Sequence, residues 1–171
     1  MGASETMVRM GELAVSAAAG HVLVSLGLGS CIGLALVDRR MGIAGLAHVV
    51  LPGSGGHGAE NPRKFADHAV PELVRGLEAA GARRIRLEAV LVGGASMFAV
   101  STASLEVGQR NEAAVREQLR ALRIPVMAAA TGGKRGRTIK VDVASAAVTV
   151  REAGGSTETL LGGNRVCEVA A

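Results

Sequence analysis

Short apolar runs alternate along the chain with polar or glycine-rich connections, a pattern typical of α/β proteins. Runs rich in β-branched and small apolar residues predict strands, and segments with apolar residues every three or four positions predict helices. The predicted strands are 7–14, 22–24, 31–37, 43–51, 85–92, 125–130, 138–143 and 147–151. The predicted helices are 67–80, capped by Asp67, and a segment within 108–123. We therefore expect a mixed β-sheet with β-hairpins, packed by two main amphipathic helices.

The length of 171 residues fits a single domain, and a hydrophobic content of 49% is ample for its core. We assign this domain to residues 1–153. Residues 154–171 have little periodicity and are expected to form a weakly ordered C-terminal tail.

Composition narrows the classes of function. The chain has two Phe, no Trp and no Tyr, and its net charge of +4 comes from scattered basic residues, so no nucleic-acid partner is expected. A mildly basic surface suits an acidic protein partner, or is an ordinary solvated surface. Two distant cysteines predict neither zinc nor a disulfide framework, and we expect no metal and no cofactor. No signal peptide or membrane-spanning run is evident, so the expected location is the cytoplasm, without membrane insertion.

The segment VLVSLGLGSCIGLAL, residues 22–36, contains the first candidate for chemistry. Cys31 follows a bend marked by Gly27 and Gly29, where backbone N–H groups cluster. The N–H groups of Gly29 and Ser30 are therefore candidates for stabilising an oxyanion. The alternative is that Cys31 is a small buried hydrophobic residue, as most free cysteines are.

The polar connection after Val37 predicts a β-hairpin between the runs 31–37 and 43–51. A two-residue loop would place Cys31 directly opposite His48. A four-residue loop would place Cys31 opposite Val50, with His48 as its diagonal neighbour on the same face. A three-residue loop would place His48 on the other face. Two of the three registers thus allow a thiol and a candidate base to share one face.

Three glycine-rich connections offer further candidates. The loop 52–62 contains His57, which we expect to face solvent. The pair Gly93-Gly94 after a strand predicts close approach of another backbone or of a ligand, and Phe98 beyond it is either an exposed partner anchor or buried. The basic loop 131–137 lacks a Ser or Thr after Gly-Lys and precedes a strand, so it does not predict a phosphate-binding loop.

Taken in order, the motifs LGLGSCIGLALVD, AGLAHVVLPGSGG, LEAVLVGGASMF, VGQRNEAAV and TGGKRGR resemble the CheD family of chemoreceptor glutamine deamidases. The resemblance extends from about residue 11 to residue 150. It implies an α/β fold and hydrolysis of glutamine side chains on cytoplasmic helices of chemoreceptors, which gives glutamate and ammonia. It also implies binding to a CheC-type phosphatase that modulates the enzyme.

The resemblance assigns roles to three residues. Cys31 matches the family's nucleophile, and His48 matches its base. The third member of the family's triad is usually a threonine, and this chain has Ser25 at that position. Ser25 and Cys31 can both approach His48 only if the chain folds back at Gly27 and Gly29.

Two other functions remain compatible with these residues. One is a different cysteine hydrolase, such as a peptidase or a methylesterase. The other is a binding module, non-catalytic or with a dual role, that regulates a CheC-type phosphatase. The residues do not specify the receptor, the glutamines chosen or the oligomeric state. Ammonia release without backbone cleavage would distinguish deamidation from proteolysis, and rapid alkylation of Cys31 near neutral pH would argue against a binding module.

Overall fold

The computed structural model describes residues 2–55, 60–97 and 102–163, which form ten strands and two α-helices. The helices are α1 (Ala66–Ala79) and α2 (Thr102–Ala121). The strands are β1 (Ser4–Met7), β2 (Leu13–Ser16), β3 (His21–Leu28), β4 (Ile32–Asp38), β5 (Ile43–Val49), β6 (Glu88–Gly93), β7 (Val126–Thr131), β8 (Arg137–Asp142), β9 (Val148–Glu152) and β10 (Thr157–Leu161).

The strands divide between two mixed five-stranded sheets, so the predicted α/β class is confirmed. The first sheet has the order β1-β3-β8-β9-β10, with β1 parallel to β3. The second sheet has the order β2-β5-β4-β6-β7, with β6 parallel to β7. Neither described helix is long and apolar enough to cross a bilayer.

The second sheet forms the middle layer of the molecule. One apolar core fills the space between it and the two helices, and another lies between the two sheets. Every residue of β4 and β5 is buried because these strands have packed layers on both faces. This explains why their sequences are continuously apolar rather than alternating.

Four predicted boundaries are wrong. Residues 7–14 are not one strand, because Gly11 turns the chain at φ +74° between β1 and β2. Residues 84–86 form a 3₁₀ turn before β6, and α2 begins at Thr102 rather than within 108–123. Helix α1 begins at Ala66, so Asp67 does not cap it; the Asp67 carboxylate accepts hydrogen bonds from Ser54 instead.

The predicted tail also differs from the structure. Residues 157–161 form β10, which pairs antiparallel with β9 and closes the first sheet. Leu161 is buried in the core between the sheets. The strand depends on the backbone of β9, which periodicity within residues 154–171 does not reveal. The predicted boundary at residue 153 lies in the hairpin between these two strands.

Candidate active site

The hairpin of β4 and β5 places Cys31 and His48 on one face. Asp38 pairs with Ile43, so the connection has four residues, and Gly33 pairs with His48. Cys31 immediately precedes β4, so it is the diagonal neighbour of His48. Of the three registers that the sequence allows, the four-residue loop is therefore the one the protein adopts.

The chain folds back between β3 and β4, as the glycines predict. Gly27 has φ +64°, and the pairing of β3 with β8 is irregular between Ser25 and Leu28. The next three residues, 29–31, carry the chain from the first sheet to the second. Ser25 on β3 and His48 on β5 consequently face each other across the core between the sheets.

Hydrogen bonds define the tautomer of His48. Ser25 Oγ donates its proton to the carbonyl oxygen of Val8 at 2.7 Å. Ser25 Oγ lies 2.8 Å from His48 Nδ1, and because its only proton is used, it must accept from Nδ1–H. The other ring nitrogen, Nε2, carries a lone pair, and it is buried without a hydrogen-bond partner among the described residues. In the neutral ring the proton is therefore on Nδ1, and Nε2 is the basic nitrogen.

Burial shifts the pKa values of both groups. It lowers the pKa of His48 below its ordinary value, although a hydrogen bond to Val8 and the charge of Glu12 oppose this effect. Burial raises the pKa of the Cys31 thiol, and the N–H of Cys31 itself opposes that increase. At neutral pH the resting pair is a thiol beside a neutral imidazole, which suits proton transfer once a substrate is bound.

The loop after β6 holds the bend in place. Ala95 N–H donates to Gly29 C=O at 2.8 Å, and Gly94 N–H donates to Cys31 C=O at 2.9 Å. In a planar trans peptide the N–H points away from the preceding C=O, so the contact at Gly29 also orients the N–H of Ser30, and the contact at Cys31 orients the N–H of Ile32. Within the described chain, the N–H groups of Ser30 and Cys31 donate to no backbone carbonyl. The loop thus orients the Ser30 amide, and the N–H groups of both Ser30 and Cys31 remain available for an oxyanion.

The double glycine is required by close approach of backbone, as one of the two sequence interpretations predicts. A Cβ at Gly93 would overlap the carbonyl oxygen of Cys31. A Cβ at Gly108 on α2 would lie 2.5 Å from the carbonyl oxygen of Gly94. These positions fit only hydrogen atoms, so the loop, the bend and α2 pack directly against each other.

We expect Gly93→Ala to lower the free energy of unfolding by more than about 3 kcal/mol, because it combines a backbone overlap with a left-handed φ of +118°. Urea denaturation measures the change. Gly53→Ala is the matched control, since its Cβ would meet no atom within 4 Å. Equal stability of the two variants would contradict the close approach.

Asn111 is a site residue that sequence reasoning missed. It is fully buried on α2, and its Nδ2 donates to the carbonyls of Ser30 at 3.0 Å and Val50 at 2.9 Å. Its Oδ1 is buried without a partner in the described structure. The signal was present in the sequence: Asn111 precedes Val115 and Leu119 at intervals of four, so an amide occupies the apolar stripe of a helix.

A cleft of about 410 Å³ opens beside His48. Its lining is mainly apolar and comprises Met7, Val8, Arg9, Met10, Leu26 and His48. Met10 and Leu26 are more than half exposed, so the rim of this cleft offers apolar surface to a docked chain.

Other predicted candidates have different outcomes. Phe98, His57 and Cys167 lie outside the described residues. The basic loop 131–137 packs against the segment that follows β6, since Gly132 N–H donates to the carbonyl of Gly93 at 3.0 Å and Ser96 N–H donates to the carbonyl of Gly133 at 2.9 Å. No three His, Cys, Asp or Glu side chains gather as a metal site would require in the part of the chain that the structure describes.

The arrangement of Cys31, His48 and Ser25 has the parts needed for nucleophilic catalysis by a thiol on an α/β scaffold. A profile of the family described as CheD chemotactic sensory transduction matches residues 50–152. A Clostridium kluyveri protein named probable chemoreceptor glutamine deamidase CheD is 44% identical over 137 residues, covering 78% of this chain and 85% of that protein. A Clostridium botulinum protein of the same name, from strain Alaska E43, is 41% identical over 154 residues, covering 88% of this chain and 94% of that protein. The chain belongs to the CheD family.

Proposed function

We propose that this protein hydrolyses glutamine side-chain amides on the cytoplasmic helices of chemoreceptors, giving glutamate and ammonia, with Cys31 as nucleophile. The names of its relatives support the substrate class. The observation that carries the mechanism is the hydrogen bond from His48 Nδ1 to Ser25 Oγ, because it leaves Nε2 as the basic nitrogen on the face that Cys31 shares.

The first half of the reaction forms a thioester. Cys31 Sγ transfers its proton to His48 Nε2 and attacks the amide carbon of the glutamine. The C=O electron pair moves onto oxygen, which the N–H groups of Cys31 and Ser30 stabilise. The carbonyl re-forms as the C–N bond breaks, and the imidazolium returns its proton to the departing ammonia. Because Nε2 has no hydrogen-bond partner in the resting structure, the Cys31 thiol must approach it before the proton is transferred.

The second half regenerates the thiol. A water molecule gives a proton to His48 Nε2 and attacks the thioester carbon. The C–S bond then breaks, the proton passes to the Cys31 sulfur, and glutamate leaves. Ser25 keeps the same ring nitrogen basic in both halves, so His48 can serve twice.

Incubation with receptor cytoplasmic fragments tests the proposal. Mass spectrometry should find conversion of particular Gln residues to Glu, with stoichiometric ammonia and an uncut backbone. Backbone cleavage would instead favour a peptidase. No reaction with receptor fragments from the same organism would contradict the proposal.

The partners that we propose are the receptor helices and a CheC-type phosphatase, all in the cytoplasm. The net charge of +4 supports association with an acidic helical surface, which salt would weaken.

Phe98 stays a predicted partner anchor, and loss of affinity in Phe98→Glu for either partner would support it.

Ser25→Ala should lower turnover roughly ten- to a hundredfold, about 1.4–2.7 kcal/mol of barrier, because the imidazole loses the acceptor that orients it. Ser25→Thr should keep most activity, since the hydroxyl remains. Kinetics of ammonia release measure the effect. Ser145→Ala is the control, because it also removes a hydroxyl hydrogen bond, that from Ser145 to Asp142, away from His48. Wild-type turnover in Ser25→Ala would reduce the site to Cys31 and His48.

A further inference from the structure

Asn111 joins the two chain segments that carry the proposed catalytic pair. Ser30 directly precedes Cys31, and Val50 follows His48 by two residues. One side-chain nitrogen of Asn111 donates to both of their carbonyls, at 3.0 and 2.9 Å. The two acceptors are carbonyl oxygens, so the amide nitrogen and not Oδ1 must face them.

This bridge lies where strand pairing stops. The ladder of β4 and β5 ends at the pair Ile32 and Val49, and the next pair in that register would be Cys31 and Val50. The Asn111 amide therefore connects the strands one step beyond their last ladder pair. Two hydrogen bonds from this one side chain thus link the segment carrying Cys31 to the end of β5.

The bridge also orients a peptide group at the nucleophile. The carbonyl of Ser30 and the N–H of Cys31 belong to one planar trans peptide unit, so fixing the C=O direction fixes the opposite direction of the N–H. That N–H interacts with the Cys31 thiol and is one of the two amides available to an oxyanion.

Asn111 acts at this buried position through its two N–H donors, although its Oδ1 stays unpaired within the described part of the chain. An amide oxygen without a partner is unfavourable in a protein interior. A leucine would fill this position on the apolar stripe without an unpaired Oδ1, but it would remove the donor that the carbonyls of Ser30 and Val50 share.

We propose that Asn111 is a positioning residue for thiol chemistry: it fixes the Ser30–Cys31 peptide against the end of β5, so that the Cys31 N–H supports the thiolate and the oxyanion. The proposed support of the oxyanion rests on the proposed function. The effect of Asn111 on the thiol does not, because the reactivity of Cys31 can be measured without a substrate.

The test compares Asn111→Leu and Asn111→Asp with wild type. Both remove the two N–H donors; the first keeps apolar bulk and the second keeps the shape. In each folded variant we expect alkylation of Cys31 by iodoacetamide at fixed pH to slow about tenfold. The pH at which the alkylation rate reaches half of its maximum should be higher than in wild type. With a receptor fragment, kcat should fall by a similar factor while KM changes less than about twofold.

Leu119→Ala is the matched control, because Leu119 is buried on the same stripe of α2 and has no donor for either carbonyl. Even if Leu119→Ala loses as much stability as the Asn111 variants or more, it should keep the wild-type alkylation profile and kcat. A wild-type profile in either folded Asn111 variant, or an equal shift in Leu119→Ala, would overturn the proposal.

Two further outcomes are decisive. In wild type, NMR should find both Asn111 Nδ2 protons protected from solvent exchange, and rapid exchange would overturn the proposal even if no variant folds. If wild type deamidates no receptor but the variants still alter alkylation, the proposed function fails and the positioning of the thiol stands.

Discussion

Cys31→Ala should reduce ammonia release from receptor fragments at least about 10⁴-fold, because removal of a nucleophile typically costs of order 10⁶ in kcat. The remaining imidazole and amides cannot form a thioester. The fold should survive, since Cys31 is only partly buried and the substitution removes one sulfur atom. Circular dichroism and urea denaturation check the fold, and a coupled ammonia assay measures the rate.

Cys167→Ala is the matched control for the loss of a thiol, and we expect it to be silent. Iodoacetamide should inactivate wild type with modification of Cys31. A purified, folded Cys31→Ala protein with activity within threefold of wild type would eliminate the nucleophile assignment.

His48→Gln should lower kcat about 10²- to 10⁴-fold, the usual contribution of a general base. In wild type, kcat/KM should rise with pH as His48 loses its proton. Because burial lowers the pKa of His48, this rise should be centred below the ordinary value of about 6.5. The rate should fall again only when Cys31 loses its proton, above the ordinary thiol pKa, because that proton is needed by departing ammonia.

His21→Gln is the control for losing a histidine. His21 contacts two hydroxyl groups, of Thr6 and Ser16, at 2.7 Å each, but belongs to a separate cluster. It should keep the wild-type profile. If kcat/KM of His48→Gln still rises with pH as it does in wild type, another group is the base.

Local sequence predicted the strands and helices better than it predicted how they pair and pack. Apolar runs located β4, β5 and the strands β7 to β9, because the side-chain pattern follows burial. The register of the hairpin stayed open because its loop length depends on a distant contact. Asp38 is fully buried, and its carboxylate accepts from Arg83 N–H and Arg86 Nε, which lie after α1. Nothing near residues 39–42 in the chain indicates that partner.

The candidate site was also predicted from the sequence only in part. The glycine bend and the resemblance predicted that Ser25, Cys31 and His48 would come together, and the approach of Ser25 to His48 is present in the structure. Their catalytic roles stay predictions. Helical periodicity identifies apolar residues and therefore does not identify Asn111, whose buried amide interrupts the apolar stripe and contacts Ser30, about eighty residues earlier in the chain.

The order in which these groups occur along the chain has a consequence for protein synthesis. Ser25, Cys31 and His48 all emerge from the ribosome early, whereas Gly94, Ala95 and Asn111, which hold the bend, follow much later. A nascent chain ending before α2 therefore contains every proposed catalytic side chain but lacks the Asn111 bridge that holds the thiol segment. Such a chain also lacks β8, the strand that pairs with β3, so we expect the proposed deamidation to begin only with the nearly complete polypeptide.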